Sequence, residues 1–326
     1  MQPRPARGPS SPQRVVPLPG KSGRFGYTVG RKLPLLEGSH MVAIGIVPIN
    51  VGPHALIDHA VDIARRAEAA GIESVWTFEH VCVPLDYESR YPYHKSGKMP
   101  ITTDTLFLDP LITLSHIAAA TTTLKLGTGV NILPQTNPLL FAKQTATLDQ
   151  LSGGRLLLGL GVGWLKEEFA AMGVPFERRG ARFRDYVRAI RKVWTGQPVE
   201  HHSDFLDWDG FVSLPAAKQQ PGPPILVGGS TDPALKRVAA VGDGFYAPNA
   251  RTTDLADMLD RLKGFCEAAG RDYAELKITA TWMPALEPDA LPKFAEMGVE
   301  RVIVPLHGTG CADWSSAIDK LATWTA

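Results

Sequence analysis

From Met41 onward, short apolar runs alternate with longer segments in which apolar residues recur at helical spacing. The first unit is an apolar strand at 42–49 followed by a helix at 53–70, which is predicted to end at Gly71. The same alternation continues to the end of the chain and predicts seven further strands, at 74–79, 124–132, 156–162, 225–227, 244–247, 277–282 and 301–306. A helix is predicted after each of them.

Strand–helix alternation of this kind implies parallel strands joined by right-handed crossovers. Eight such units favour a single closed (β/α)8 barrel, the TIM-barrel architecture of the α/β class, over residues 41–326. An open doubly wound sheet is the alternative. Two connections are longer than ordinary barrel loops, at 81–108 after strand two and at 198–224 after strand four. The first is predicted to form a lid or substrate wall, or else a solvated surface excursion.

The first forty residues differ from the rest of the chain. They contain seven prolines, seven lysines or arginines and one acidic residue, Glu37. A segment of this composition is predicted to be disordered, because it cannot bury enough apolar surface to offset its ordering entropy. The arginine-rich start resembles a transit peptide, and Gly38-Ser39-His40-Met41 resembles the scar of a cleaved tag. We therefore expect residues 1–40 to form a disordered or tag-like tail that precedes the folded domain.

The composition and the net charge argue against several classes of function. The chain is 44% hydrophobic and 21% charged with a formal net charge of +1, which gives no electrostatic basis for binding nucleic acid or an acidic membrane. No apolar run is long enough to span a bilayer. The three cysteines are far apart, as expected in a reducing cytoplasm. Neither His54 with His59 nor His201 with His202 has the spacing of metal ligands, so no metal is expected.

Candidate chemistry begins where the second strand ends, in the pair Glu79-His80. Side chains at the carboxyl ends of barrel strands face the mouth of the barrel, where catalysis takes place in this architecture. A histidine there can exchange protons near neutral pH, and a carboxylate can fix its tautomer. The alternative is a histidine that makes only structural hydrogen bonds.

Glycines lie within two strands near their carboxyl ends, at 127–129 and 159–163, and directly after a third strand, at 228–229. They indicate either a close approach of the backbone to a ligand or close packing against a neighbouring element. The fourth-strand glycines resemble half of a dinucleotide fingerprint, but they begin inside the strand, which argues against that assignment. After strand five, Gly228-Gly229-Ser230 leads into a helix, so these residues form either a phosphate seat or an ordinary capped turn. Arg178-Arg179 is expected to be solvated or paired with acids.

Together these segments resemble the luciferase-like oxidoreductase superfamily, and especially its coenzyme F420-dependent branch. The resemblance covers nearly the whole chain from Met41. It rests on the order and spacing of motifs at 67–76, 79–80, 126–128, 147–155, 159–164, 224–229 and 242–245.

The resemblance implies a cofactor ring over the mouth of the barrel, beside Glu79 and His80. Gly129-Val130 would form a strand-three bulge, where the family often carries a non-proline cis peptide. The remaining cofactor contacts it implies are Gly163, Trp164 and Glu167 after strand four and, for the phosphate, Gly228, Gly229 and Ser230.

The implied reaction is hydride transfer between coenzyme F420 and a small organic substrate. His80 would be the acid/base or the ring-side hydrogen-bond donor, and Glu79 would orient it. Trp164 stands where relatives that oxidise a sugar phosphate carry an acid, which argues against such a substrate. The alternatives are an FMN-dependent monooxygenase on the same barrel and a flavin-binding protein without turnover. A homodimer is one assembly that we expect for such an enzyme.

Overall fold

The structure, a computed structural model, describes residues 41–248 and 251–325, apart from the side chains of residues 57 and 58. The predicted tail at 1–40 lies outside the described residues. Among the helices of the described ranges, none combines the length and the apolar character that crossing a membrane requires.

Eight parallel strands form a closed barrel, and two further strands form a separate hairpin. In chain order the ten strands are β1 (Ala43–Val47), β2 (Ser74–Thr77), β3 (Lys125–Ile132), β4 (Leu156–Gly161), β5 (Val199–His202), β6 (Asp207–Phe211), β7 (Ile225–Gly228), β8 (Gly244–Ala247), β9 (Lys277–Thr281) and β10 (Val299–Pro305). The order around the barrel is β1-β10-β9-β8-β7-β4-β3-β2. Because β1 pairs with both β2 and β10, the ring is closed, which confirms the barrel and excludes the open sheet.

Helices follow the strands and cover the outside of the barrel. They are α1 (Ile57–Ala69), α2 (Pro110–Ala120), α3 (Pro138–Leu151), α4 (Lys166–Ala171), α5 (Arg179–Trp194), α6 (Asp232–Val241), α7 (Thr252–Ala268), α8 (Leu291–Glu296), α9 (Leu306–Thr309) and α10 (Trp314–Ala322). Their apolar faces and the outward strand residues form the main core. A smaller cluster fills the barrel with one residue from each of six strands, namely Val47, Trp76, Leu157, Leu226, Tyr246 and Ile303.

Local signals placed several helix ends correctly. Asp109 caps α2 by accepting a hydrogen bond from the Ile112 amide, and Gly71 takes the left-handed conformation just after α1, with φ of 76°. The start of the first helix was predicted wrongly. Residues 53–55 form a separate 3-10 turn, and Leu56 is extended with ψ of 140°, so α1 begins only after it.

The two long connections differ in structure. Residues 81–108 contain no strand or helix; their only β contact among the described residues is an isolated bridge between Phe107 and Val51. The second connection contains the antiparallel hairpin of β5 and β6, which the sequence did not predict. The missed strands are short, and most of their residues are polar, so their sequences do not show a clear alternation of apolar and polar positions.

Candidate active site

His80 lies just after β2, and a carboxylate from another element holds its ring. Nδ1 of His80 is 3.0 Å from Oε2 of Glu168, which lies on α4. Glu168 is only 2% exposed, and its Oε1 accepts hydrogen bonds from the amides of Val81 (2.6 Å) and Cys82 (3.4 Å). The carboxylate therefore fixes both the imidazole and the backbone that follows it, and it leaves Nε2 of His80 as the ring nitrogen available to another group.

The expectation that Glu79 orients His80 is wrong. The Glu79 carboxylate turns towards β3, where Nδ2 of Asn131 donates to it over 2.6 Å and the amide of Ile132 donates to its other oxygen. Adjacent residues of an extended chain point to opposite sides, which explains why Glu79 and His80 do not meet. Burial raises the pKa of Glu79 to about 7, with a smaller contribution from the charge of Glu168, although the two hydrogen bonds act in the opposite direction.

The expected bulge and cis peptide are both present in β3. The register between β3 and β4 shifts between Thr128 and Asn131, and the Gly129-Val130 peptide bond is cis. Glycines of the two neighbouring strands make room for the Val130 side chain. A Cβ added at Gly161 would lie 2.6 Å from a Val130 methyl group, and one added at Gly228 would lie 2.9 Å from the other. At these two positions close packing explains the glycine without any ligand.

Trp164 follows β4 and is surrounded by aromatic rings, mostly from the first long connection. Its ring centroid is 5.2 Å from that of Tyr91, 5.8 Å from that of Tyr87 and 6.2 Å from that of His80, all edge to face. The ring centroid of Phe107 is 5.4 Å from that of His80, also edge to face. The connection at 81–108, here called the wall, therefore packs aromatic rings against Trp164 and His80. Its role as a lid or substrate wall stays a prediction.

Glu167 holds this wall in place. Its Oε1 accepts hydrogen bonds from the amides of Glu88 (2.8 Å) and Ser89 (3.2 Å). Burial alone would raise the pKa of Glu167, but the hydrogen bonds from Ser89 and from these amides outweigh it and lower the pKa to about 2. Oε1 of Glu167 therefore already accepts hydrogen bonds from the connection at 81–108 and holds that loop in place. The predicted contact of Glu167 with a cofactor stays a prediction.

The turn Gly228-Gly229-Ser230 joins β7 to α6. Gly229 has φ of 128°, and the helix cap Thr231 makes no side-chain hydrogen bond to the first turn. Ser230 also lines a pocket of about 570 Å³, together with Tyr93 and Lys95 of the wall. A helix start next to a pocket is compatible with an anion, and the predicted phosphate role remains a prediction.

Several buried polar atoms at the carboxyl ends of β3 and β4 have no hydrogen-bond partner. They are Oδ1 of Asn131, both amide atoms of Gln135 and Oε2 of Glu167. Buried polar groups are nearly always paired in folded proteins, so these atoms indicate a polar ligand or water at the mouth. Within 41–248 and 251–325, no group of three His, Cys, Asp or Glu residues could hold a metal ion.

Sequence reasoning missed Glu168 and Gln135. The available signal for Glu168 was the acidic pair that opens the short helix after β4. Only the rotation of that helix decides which of the two acids faces His80, and rotation depends on packing that the local sequence does not specify.

The chain is similar to proteins of one known family. The model of the luciferase-like monooxygenase family matches residues 41–291. An uncharacterised protein of Mycobacterium tuberculosis is 30% identical over 260 residues, which cover 79% of this chain and 91% of the relative. The FMNH2-dependent dimethylsulfone monooxygenase of Pseudomonas putida is 32% identical over 163 residues, which cover 49% of this chain and 45% of the relative. The coenzyme F420-dependent tetrahydromethanopterin reductase of Methanopyrus kandleri shares the fold, with a TM-score of 0.68, 17% identity and coverage of 86% of this chain and 97% of that chain.

Proposed function

Because this chain belongs to the luciferase-like monooxygenase family, we propose that it is an oxidoreductase that transfers a hydride between coenzyme F420 and a small organic substrate. One observation carries the proposal: the imidazole of His80, held by the buried carboxylate of Glu168, stands beside Trp164 under the aromatic wall. A titratable group in this setting, at the carboxyl end of a barrel strand, is suited to proton transfer.

The residues of the mouth fit a planar ring with a polar edge. Val130 and Trp164 offer apolar surfaces. The unpaired Oδ1 of Asn131 and the unpaired side-chain amide of Gln135 offer hydrogen bonds. The family resemblance adds Gly129 and Gly163 beside the ring, and Gly228, Gly229 and Ser230 beside the phosphate. When bound, the deazaflavin would supply a ring carbon that carries the hydride.

His80 is proposed to move the proton that accompanies the hydride. Nδ1 is held by Glu168, so Nε2 faces the reacting molecule and can give or accept a proton there. The carboxylate of Glu168 stabilises the positive charge of the protonated imidazole. The side chains of His80 and Glu168 are only 13% and 3% exposed, and this reduced contact with water strengthens the interaction between them.

The second candidate is an FMN-dependent monooxygenase on the same barrel. The name of the Pseudomonas putida relative, which is FMNH2-dependent, favours it. The two candidates differ in cofactor and in the need for oxygen, and a flavin-binding protein without turnover differs from both in lacking catalysis.

The test is equilibrium binding of the purified protein to coenzyme F420 and to FMN, followed by fluorescence. We expect F420 to bind at micromolar concentration or below, and FMN to bind more weakly. A clear preference for FMN would overturn the cofactor assignment and make oxygen-dependent monooxygenation the working function.

Turnover tests the role of His80. With a substrate found by screening, His80→Ala is expected to keep cofactor affinity and to lose turnover by about 100-fold or more, because it removes a proton-transfer group. His116→Ala, which alters an exposed histidine on α2, serves as the control. Equal turnover of the two variants would refute the assignment of His80.

A further inference from the structure

Three arginines of α5 and α6 lie close enough together to influence one another by their charges. They are Arg179 and Arg184 on α5 and Arg237 on α6. The exposed Glu177 also acts on one of them, Arg179, through its charge, without forming a salt bridge. Among the salt bridges of the described residues, none involves any of the three, whereas Arg178 pairs with Asp204 at 2.5 Å. The expectation that Arg178-Arg179 is solvated or paired with acids therefore holds for Arg178, while Arg179 belongs to a cluster of like charges.

Arg237 is the most deeply placed of the three. It is 7% exposed, and its Nε is buried without a hydrogen-bond partner. Burial lowers the pKa of Arg237 to about 10, and the positive charges of Arg184 and Arg179 add to this effect. The group is still a cation at neutral pH. A buried cation without a counter-charge is costly, and nearby like charges increase the cost.

The cluster adjoins the mouth of the barrel. Nε of Arg179 donates a hydrogen bond of 3.1 Å to the carbonyl oxygen of Gly163, and its guanidinium stacks 3.7 Å from the ring centre of Phe176. Tyr93, close enough to Arg237 to respond to its charge, also lines the 570 Å³ pocket. The same tyrosine packs on Tyr91, which contacts Trp164. An anion at the arginines would therefore sit next to the proposed reaction site.

We propose that Arg237, with Arg179 and Arg184, forms a subsite for an oxyanion: a carboxylate, sulfonate or phosphate group of a molecule that enters the barrel mouth. Guanidinium groups suit this chemistry, because their planar N–H pairs match the spacing of two oxygens. The oxyanion would accept hydrogen bonds from the unpartnered Nε of Arg237 and neutralise the cluster. The inference rests on the proposed function for the identity of the mouth, since it adds the charge class of the molecule bound there.

Inorganic sulfate is the probe that tests the subsite without any turnover. Its binding to the purified protein is measured by calorimetry, with sodium chloride keeping the ionic strength constant. Arg237→Gln and Arg184→Gln are expected to weaken sulfate binding by about tenfold or more, the effect of losing a charged hydrogen bond. Arg188→Gln, which removes an exposed arginine of the same helix, is the matched control and should bind sulfate as the parent does.

Stability without sulfate distinguishes a ligand site from a structural role. Removing an uncompensated buried cation should leave the urea midpoint of Arg237→Gln equal to or above that of the parent. A marked fall in that midpoint together with unchanged sulfate affinity would overturn the subsite. Equal sulfate affinity of Arg184→Gln, Arg188→Gln and the parent would overturn it as well, whatever the folding of Arg237→Gln.

The source of the oxyanion is found by comparing FMN with riboflavin, which lacks the phosphate. If Arg237→Gln weakens FMN binding about tenfold and leaves riboflavin unchanged, the subsite holds a cofactor phosphate. If sulfate still binds to protein saturated with FMN, and Arg237→Gln weakens only sulfate, the subsite serves an anionic substrate. Sulfate binding in a protein that binds neither F420 nor FMN would leave the subsite standing and refute the proposed function.

Discussion

At the scale of single residues, two acidic side chains near His80 have different environments and different tasks. Glu168 is buried and fully engaged by the imidazole and two backbone amides. Glu79 accepts two hydrogen bonds and yet has a pKa raised to about 7, because burial disfavours its charge more than those bonds support it. Glu168 therefore acts as a positioning carboxylate, and Glu79 as a group that titrates near neutral pH.

Glu168→Gln tests the positioning role. The glutamine can donate a hydrogen bond to Nδ1 of His80, which favours the tautomer with the proton on Nε2 and removes the charge that supports the imidazolium. Turnover is expected to fall by about tenfold or more with KM nearly unchanged. Glu267→Gln, at an exposed position on α7, is the control. A loss of thermal stability without a loss of kcat would show a structural role alone.

Glu79 is expected to make the free energy of unfolding depend on pH. The pKa of this carboxyl group is higher in the folded chain, about 7, than its ordinary value of 4.5. Between these values the unfolded chain loses the proton while the folded chain keeps it, so stability falls as pH rises from about 4.5 to about 7. Urea midpoints at pH 5 and pH 8 should differ less in Glu79→Gln than in the parent. An equal change of the urea midpoint with pH in the parent and in Glu79→Gln would contradict the raised pKa of Glu79.

At the scale of elements, β3 and its neighbours are built around one side chain. The β3 bulge directs Val130 towards β4 and β7, and Gly161 and Gly228 leave the space that it occupies. The short helix α4 then turns one acid to His80 and the next one to the wall at 81–108. The candidate site thus depends on a bulge, a few strand glycines and one helical turn.

Gly161→Ala tests this arrangement. The added methyl group would meet Val130 at 2.6 Å, and overpacking of this kind costs about 1–3 kcal/mol of unfolding free energy. Val130→Ala in the same chain should recover part of that loss. Gly264→Ala is the control, because nothing lies within 4 Å of its added Cβ and its helical site favours alanine by up to about 1 kcal/mol. Urea unfolding measures all four proteins.

At the scale of the whole molecule, an ion pair helps to hold the first and last parts of the barrel together. Arg301 on β10 is 1% exposed and donates two hydrogen bonds to Glu73, which directly precedes β2. Burial alone would raise the pKa of Glu73, but Arg301, and to a smaller extent Lys125, lowers it to about 2. The pair spans β1, which lies between the two strands in the closed ring.

Glu73→Gln should be among the most destabilising single changes in this barrel, since it removes the carboxylate that accepts two hydrogen bonds from the buried Arg301 and leaves the half-buried Glu300 as its acidic partner. The expected cost is about 3 kcal/mol, the lower end for a broken buried pair. In the parent, the contribution of Glu73 is fully present above pH 4.5 and is lost as pH falls towards 2, because its folded pKa is the lower one. Glu296→Gln, at an exposed position, is the control. Equal urea midpoints at pH 7 would refute the role of the pair.

Features that depend on neighbours in the chain could be predicted from the amino-acid sequence alone. Alternating apolar runs and helical segments predicted eight barrel strands, and the end of each strand marks the mouth, which was enough to locate Glu79 and His80 there. The bulge at Gly129-Val130 and the wall at 81–108 were also predicted, the first from family resemblance and the second from its length. These signals are local, because the hydrophobic period, the helix caps and the connection lengths each depend on residues within one or two neighbouring elements.

Which distant side chains meet, in contrast, depends on the tertiary structure. Glu168 is 88 residues from His80, and the rotation of α4 selects it over Glu167. The three arginines come together because α5 and α6 pack side by side. That they form no salt bridge with any other described residue depends on every element around them. The physical reason is that partnership between distant side chains depends on helix rotation and packing, which are set by the whole core and not by any short stretch of sequence.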